Sequence, residues 1–555
     1  MSASQQSSSK FRAFFLSIIV FLWLYLPVHS RPFTSRGEAR EAVVVEDMIR
    51  QNNYILPRRN DEAYPSKPPL LHWTAVLGRN LITKITGVES EGFIRLPSAL
   101  ASATTCGIVY FIAATNIGPT AGIVAALGLL STFEWLRYST LGRVDLLFSL
   151  MIFLSLVCLA RVLSNKDGCF ADSAFLGLFL GFATLTKGPA AIVLIGVTAL
   201  LDQSYQQRRI FPKFPVKHLS FAAFTALALA LPWYYFAYKI GGEQFLDVQL
   251  MRENVARLTG DEGYNIGHRQ AFYVAPLLFF LVLIPWVFYL PVFYTAAIKR
   301  TQIRIPQTTI FISYAIVLLT FCSIAASKRT VYFISALPGL VLIFADILTN
   351  TSFLNFNAGK FTKWIFNILT VTLGTLLIAI CLGVLVPDLA LKLLPLSDKL
   401  LRKTYTFIPI LQFNSWAIIF LLLGCYCFFK ARVNLANPLY MIFGCLAVIS
   451  YAQVGPAQGY SELVSPAEFA QDISARINPH DSLVQYRLDY YPLVYYAKRP
   501  IPFLDTLPLL KDSYVIGIES TAAELTQAGC NLMTASEKLI FRGRERLGLY
   551  FCKGH

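Results

Sequence analysis

Two acids and a set of cations stand where this chain could do chemistry. Glu38 lies in Arg36-Gly37-Glu38-Ala39-Arg40-Glu41-Ala42, beside a glycine and between two arginines, just past an apolar stretch. A carboxylate held there can take a proton from an acceptor hydroxyl or amine, and its flanking arginines are expected to keep it ionised. Asp145 lies in Gly142-Arg143-Val144-Asp145-Leu146-Leu147, at the expected outer end of an apolar run. Acids in such runs are expensive and are usually kept for function, although pairing with Arg143 is a plainer use. Lys67 precedes Pro68-Pro69. The prolines fix the backbone and start a helix, so the lysine sits near a helix N-terminus, where phosphate is favoured. The plainer alternative is a lysine snorkelling to the headgroups. Lys187, in Thr186-Lys187-Gly188-Pro189, has no charged neighbour in sequence and is expected to face a phosphate. Arg257 in Arg252-Glu253-Asn254-Val255-Ala256-Arg257, His268 in Gly267-His268-Arg269, and Lys328 and Tyr332 in Ser327-Lys328-Arg329-Thr330-Val331-Tyr332 extend the set.

Cations and two carboxylates converging on one membrane face suit a sugar carried on a lipid phosphate. The cations neutralise the leaving phosphate as charge develops. A carboxylate, with Glu38 the first choice and Asp145 the second, activates the acceptor. No nucleotide site is needed, because the donor is already on the lipid. Lys187 lacks the glycines of a phosphate-binding loop. No His/Cys/Asp cluster has zinc spacing, and neither a Ser-His-Asp elbow nor a dinucleotide fingerprint is present. No cofactor or metal site is therefore expected.

These residues must be positioned by a chain that is 55% hydrophobic and only 14% charged over 555 residues, with a mean hydropathy of +0.54. Soluble domains carry about 25% charged residues. Runs of about 20 apolar residues place most of this chain in a bilayer, among membrane lipids. The net charge of +16 raises the question of nucleic acid, but the cations sit in short loops between apolar runs rather than along one soluble face. No nucleic-acid partner is expected.

Residues 1–10 are Ser/Gln-rich and read as a disordered cytoplasmic N-terminus. The run Phe11–Val28 has no small-residue cleavage site after it and reads as an uncleaved first span. Twelve more spans are expected near 94–114, 119–136, 144–163, 172–186, 188–202, 218–238, 273–296, 307–326, 330–348, 364–386, 408–429 and 436–454. Lys and Arg fall in the loops that this count makes cytoplasmic, such as Arg208, Arg209, Lys213 and Lys217, which fixes the orientation. The transmembrane domain is then 11–454. Its outer loops are 30–93, 239–272 and 387–407. The outer residues Ala42, Val45, Met48 and Ile49, and then Leu70, Leu71, Trp73, Leu77 and Leu81, recur at helical spacing, as does the Lys/Leu pattern of 387–407. Amphipathic helices lying on the membrane surface are expected there. Residues 455–555 mix strand-like runs (482–486 and 513–518) with an amphipathic helix near 466–477, and read as a small extracytoplasmic α/β domain. If the tail is extracytoplasmic, Cys530 and Cys552 can form a disulfide.

The ordered pieces Glu38-Ala39-Arg40, Met48, Leu56-Pro57, Lys67-Pro68-Pro69-Leu70-Leu71-His72-Trp73, Arg95-Leu96-Pro97-Ser98-Ala99, Thr186-Lys187-Gly188-Pro189, Pro285-Trp286 and Lys328 to Tyr332 resemble bacterial glycosyltransferases of the GT-C class. The nearest resemblance is to the lipid A aminoarabinose transferases (the ArnT family), and a more distant one to the protein O-mannosyltransferases. The resemblance implies an all-α polytopic GT-C fold. It implies inverting transfer of a sugar from a polyprenyl-phosphate donor to a lipid A-like lipid, glycan or protein acceptor. The place implied is the outer face of a bacterial inner membrane, with the tail periplasmic. By it, Glu38 and Asp145 are the catalytic candidates, and Arg40, Lys67, Lys187, Arg257, His268, Lys328 and Tyr332 the substrate-binding ones. The family motif reads Asp-Glu-x-Arg in the first loop. Here Gly37 stands in the place of the aspartate, and Ser66 in that of a frequent glutamate before Lys-Pro-Pro. These departures imply a different donor sugar or acceptor. A transporter or flippase is the competing reading, and it requires cations buried at mid-bilayer.

Overall fold

A computed structural model describes all residues except 1–2, 65, 165–168, 262, 265–268, 299–302, 350–359, 386–417, 434–437, 508–511, 542 and 554–555. His268 and the loop 387–407 therefore lie outside the described residues. Among the described residues, every expected span holds helix. α1 is Ala3–Tyr25, α2 Arg36–Arg50, α3 Leu70–Thr86, α4 Gly92–Asn116, α5 Pro119–Leu130, α6 Phe133–Ser139, α7 Val144–Ser164, α8 Phe170–Lys187, α9 Ala190–Gln207 and α10 Val216–Leu246. Further apolar helices run over Val274–Val282, Leu290–Ile298, Thr308–Ile324, Leu337–Thr349, Lys360–Leu385, Ile418–Val433 and Pro438–Val454.

Length separates them. Among the described residues six helices are long and apolar enough to cross a membrane unaided, and α5 with α6, bent by 72°, makes a seventh. Two expected spans depart from continuous α-helix, one of them (Thr330–Thr349) among the six. The 273–296 span is broken by a 3-10 turn at Trp286–Tyr289, and the 330–348 span opens as a 3-10 turn over Thr330–Ala336. Apolar runs read from sequence do not register such breaks, because Pro and Gly are tolerated in spans whose neighbours satisfy the backbone.

One close crossing fixes the bundle. The fully buried Trp286 ring lies against Gly128 of α5 and donates Nε1–H to the Gly128 carbonyl at 3.2 Å. A Cβ at Gly128 would run into the indole, which is rigid. Gly128→Ala is therefore expected to cost about 1–3 kcal/mol of stability, read as a lower unfolding midpoint in detergent. An unchanged midpoint would show that the two helices slide apart freely.

The first loop is helical as its spacing predicts. Ser35 caps α2, its Oγ accepting from the Glu38 N–H. The apolar face of α2 (Ala39, Ala42, Val43 and Val45) is buried in one cluster with Tyr490, Tyr491, Leu493, Tyr495 and Ile501 of the tail. This corrects the expectation that α2 lies on the bilayer: its apolar stripe is covered by protein. α3 differs: its Leu77, Leu81 and Ile85 remain exposed.

The tail folds as a small α/β unit. Its five-stranded sheet has the order Phe503–Leu504, Leu483–Tyr486, Ser513–Ile518, Leu547–Cys552 and Asn531–Ala535. The first two neighbour pairs are parallel and the others antiparallel. Helix Ala467–Arg476 falls where the amphipathic run is, and Cys530 is bonded to Cys552. The tail grips the first loop with polar contacts. The Asn60 side chain donates to the Ile501 carbonyl at 2.7 Å and accepts from the Ile501 N–H at 2.6 Å. The Tyr496 hydroxyl donates to Glu91 at 2.6 Å, and Arg36 pairs with Asp489.

Candidate functional site

Three chain breaks build the site. α8 ends at Lys187 because Gly188 turns to φ +103°, a left-handed angle that suits glycine. Pro189 then leads into α9. α10 is bent at Gly242 (φ +57°) and continues into a π-helix over Asp247–Ala256, a wide turn often found at functional sites. The prolines before α3 hold Lys67 close to the helix start. These three segments, together with the 3-10 turn holding Tyr332, enclose a cleft of about 790 Å³ of free space, mouth included.

Lys67, Lys187, Arg257 and Tyr332 all line that cleft. Lys187 is not without a charged partner, as its sequence neighbours suggest. Its Nζ donates to Asp145 Oδ1 at 2.8 Å, and sits 5.1 Å from the Phe148 ring centroid and 5.2 Å from that of Tyr332. It is thus Lys187, and not the sequence neighbour Arg143, that makes the ion pair with Asp145. Asp145 itself is buried in the first turn of α7, where an anion is favoured. Arg257 donates from Nη1 to the Tyr332 hydroxyl at 3.3 Å.

The residue that sequence reasoning missed is Glu253. Its carboxylate is 2.8 Å from Lys67 Nζ and 2.9 Å from Arg257 Nη2. The Arg257 contact is legible as a Glu-Arg pair four residues apart on a helix. The Lys67 contact is not, because 186 positions separate the two.

Glu38 lies elsewhere. It is 2% exposed and takes both oxygens to Arg95, at 2.7 and 3.0 Å, while Oε1 also accepts from the Gly142 N–H at 2.8 Å. Burial alone would raise its pKa, but Arg95 overrides that and holds the carboxyl below its ordinary range, with Arg31 adding to the effect. The sequence neighbours Arg36 and Arg40 were expected to do this. Instead they pair with Asp489 and Glu41. Glu41 is also enclosed, accepting from Arg40 at 2.6 Å and from His72 Nε2 at 3.0 Å. There too burial pushes up, and the neighbouring Arg40 and His72 hold the carboxyl well below the usual carboxylate range. Lys328 is buried and donates to the backbone carbonyls of Gln270, at 3.0 Å, and Ala325. At Gly37 the guanidinium of Arg143 lies against the backbone, where a Cβ would stand. Among the described residues no group of three or more His, Cys, Asp or Glu side chains is placed to hold a metal ion.

An apolar groove lies next to the polar cleft, sharing Leu194 and Phe321 in its lining. The groove continues between α9 and the helix Thr308–Ile324, along Val197, Leu201, Val317 and Ile324.

Comparison with known proteins places this arrangement among similar chains. Residues 66–236 match the family model described as Dolichyl-phosphate-mannose-protein mannosyltransferase. Undecaprenyl phosphate-alpha-4-amino-4-deoxy-L-arabinose arabinosyl transferase 2 of Proteus mirabilis (strain HI4320) is 25% identical over 341 residues, 61% of this chain and 59% of that protein. The corresponding transferase of Yersinia enterocolitica is 25% identical over 345 residues, 60% of this chain and 59% of its own length. Each of these two matches thus spans 59% of the relative's length. The crystal structure of ArnT from Cupriavidus metallidurans bound to undecaprenyl phosphate superposes with a TM-score of 0.73 at 17% identity, covering 97% of both chains.

Proposed function

We propose that this chain, ArnT-like in sequence and in fold, transfers a sugar from a polyprenyl-phosphate donor to a lipid, glycan or protein acceptor. The observation that carries the reading is the adjacency of two cavities that share Leu194 and Phe321. Three cations and a tyrosine line the polar cleft, and an apolar groove lies beside it along α9. A phosphate with a long hydrocarbon tail has that division of character. Lys67, Lys187 and Arg257 meet the phosphate oxygens, because charge-assisted contacts are the strong ones. Tyr332 orders Arg257, and Asp145 orients Lys187. Arg40, Lys328 and Glu38 act as positioning residues: each is spent on a protein partner, and none lines the cleft. We place the site and the tail on the outer face of a bacterial inner membrane. The tail's contacts with the first loop support putting both on one side.

The test is binding of undecaprenyl phosphate to the full chain in nanodiscs. Lys67→Ala removes one charge-assisted contact, a loss of about 1.5–3 kcal/mol, or about 10- to 150-fold in Kd. Equal affinity in wild type and variant, or no binding by wild type, would overturn the reading.

A further inference from the structure

We propose that Glu253 is the proton-accepting carboxylate of this site, held in reserve by Lys67 and Arg257 until a donor phosphate takes those two cations. The proposal rests on the donor reading above. Among the described residues that line the cleft, Glu253 is the only acid. The other candidates are spent or set back. Glu38 and Glu41 are enclosed by Arg95 and by Arg40 with His72, and Asp145 is buried behind Lys187 and does not line the cleft. At Gly37 a positive group, the Arg143 guanidinium, takes the space a side chain would fill.

The contacts of Glu253 define a coupling. Its carboxylate holds the two cations at 2.8 and 2.9 Å, in the place a phosphate would need. When a phosphodiester enters, it draws Lys67 and Arg257 to its own oxygens. Glu253 then loses two cationic neighbours and gains an anionic one, and both changes raise its affinity for a proton. The base is thus switched on by the donor it serves. In the step that follows, the acceptor O–H or N–H gives its proton to the Glu253 carboxylate while the acceptor atom bonds to the anomeric carbon. The bond from that carbon to the phosphate oxygen breaks. Its electron pair leaves with the polyprenyl phosphate, whose new charge is met by Lys67, Arg257 and Lys187.

The experiment uses the full chain in nanodiscs with two readouts. One is affinity for undecaprenyl phosphate. The other is release of undecaprenyl phosphate from whichever undecaprenyl-phosphate sugar the wild type consumes. Glu253→Gln removes the competing anion, so it is expected to bind undecaprenyl phosphate at least about tenfold more tightly, while turnover falls about 100- to 10,000-fold. Glu253→Asp keeps the acid and is expected to recover part of the turnover. Unchanged or weaker binding by Glu253→Gln overturns the proposal, since the residue would then only scaffold the cations. So does tighter binding with normal turnover. A wild type that binds no undecaprenyl phosphate fails the donor reading first, and this inference with it.

Discussion

Glu38→Ala is expected to lower stability by about 3–5 kcal/mol, because it leaves the Arg95 guanidinium buried without its partner. Arg95 is fully buried in α4 and Glu38 is 2% exposed in α2, so neither can turn to water. The Gly142 N–H loses its acceptor as well. Thermal unfolding in detergent would read the loss, and a change within about 1 kcal/mol, the size of an exposed pair, would refute it. Glu38→Ala combined with Arg95→Met removes both charges and should regain most of the stability. The pair also sets an acid limit. The native carboxyl is held below its ordinary range, so its contribution is complete above the unfolded value of about 4.3. It is lost as pH falls through the lower native value. The double variant should lack this limb.

Lys187→Met is expected to cost about 3–5 kcal/mol, for the corresponding reason: it strands Asp145, 3% exposed, without its cation. Stability and binding can be separated here. Asp145→Asn with Lys187→Met removes both charges, so the folded state should return to within about 1–2 kcal/mol of wild type. Affinity for undecaprenyl phosphate should stay reduced, because the cleft still lacks one of its cations. A double variant that regains both would make the pair purely structural. One that regains neither would point to packing around Phe148 and Tyr332, which flank the lysine.

Much of the architecture is legible in the chain because bilayer spans announce themselves by apolar length and the tail by alternation. Helix ends in the site follow local signals too: Pro68-Pro69 before α3 and Gly188-Pro189 after Lys187. Partners are another matter. Lys187 reads as unpaired because its mate, Asp145, is 42 residues away on another helix. Glu38 reads as an ionised base between two arginines, and on that basis Glu38→Gln should lose turnover while donor affinity stays nearly intact. Its actual partner, Arg95, is 57 residues on. Helix packing decides which charges meet, and that depends on crossings such as Trp286 against Gly128 that no local pattern encodes. Glu253 was hidden for the same reason.

The grip of the tail on the first loop has a consequence for how the protein is made. A chain emerges from its N-terminus, so α2 and its apolar face are synthesised well before the tail. The tail residues that cover part of that face, Tyr490, Tyr491, Leu493 and Tyr495, follow only after the helices from α3 to Pro438–Val454. Until then α2 can pack on Leu71, Ala75, Phe93 and Ile94 of the neighbouring helices, but its cover lacks the tail half. The binding cleft's Lys67 lies in that same loop. The loop that carries Lys67 is thus completed in two stages, the second waiting on a segment that leaves the ribosome long after it.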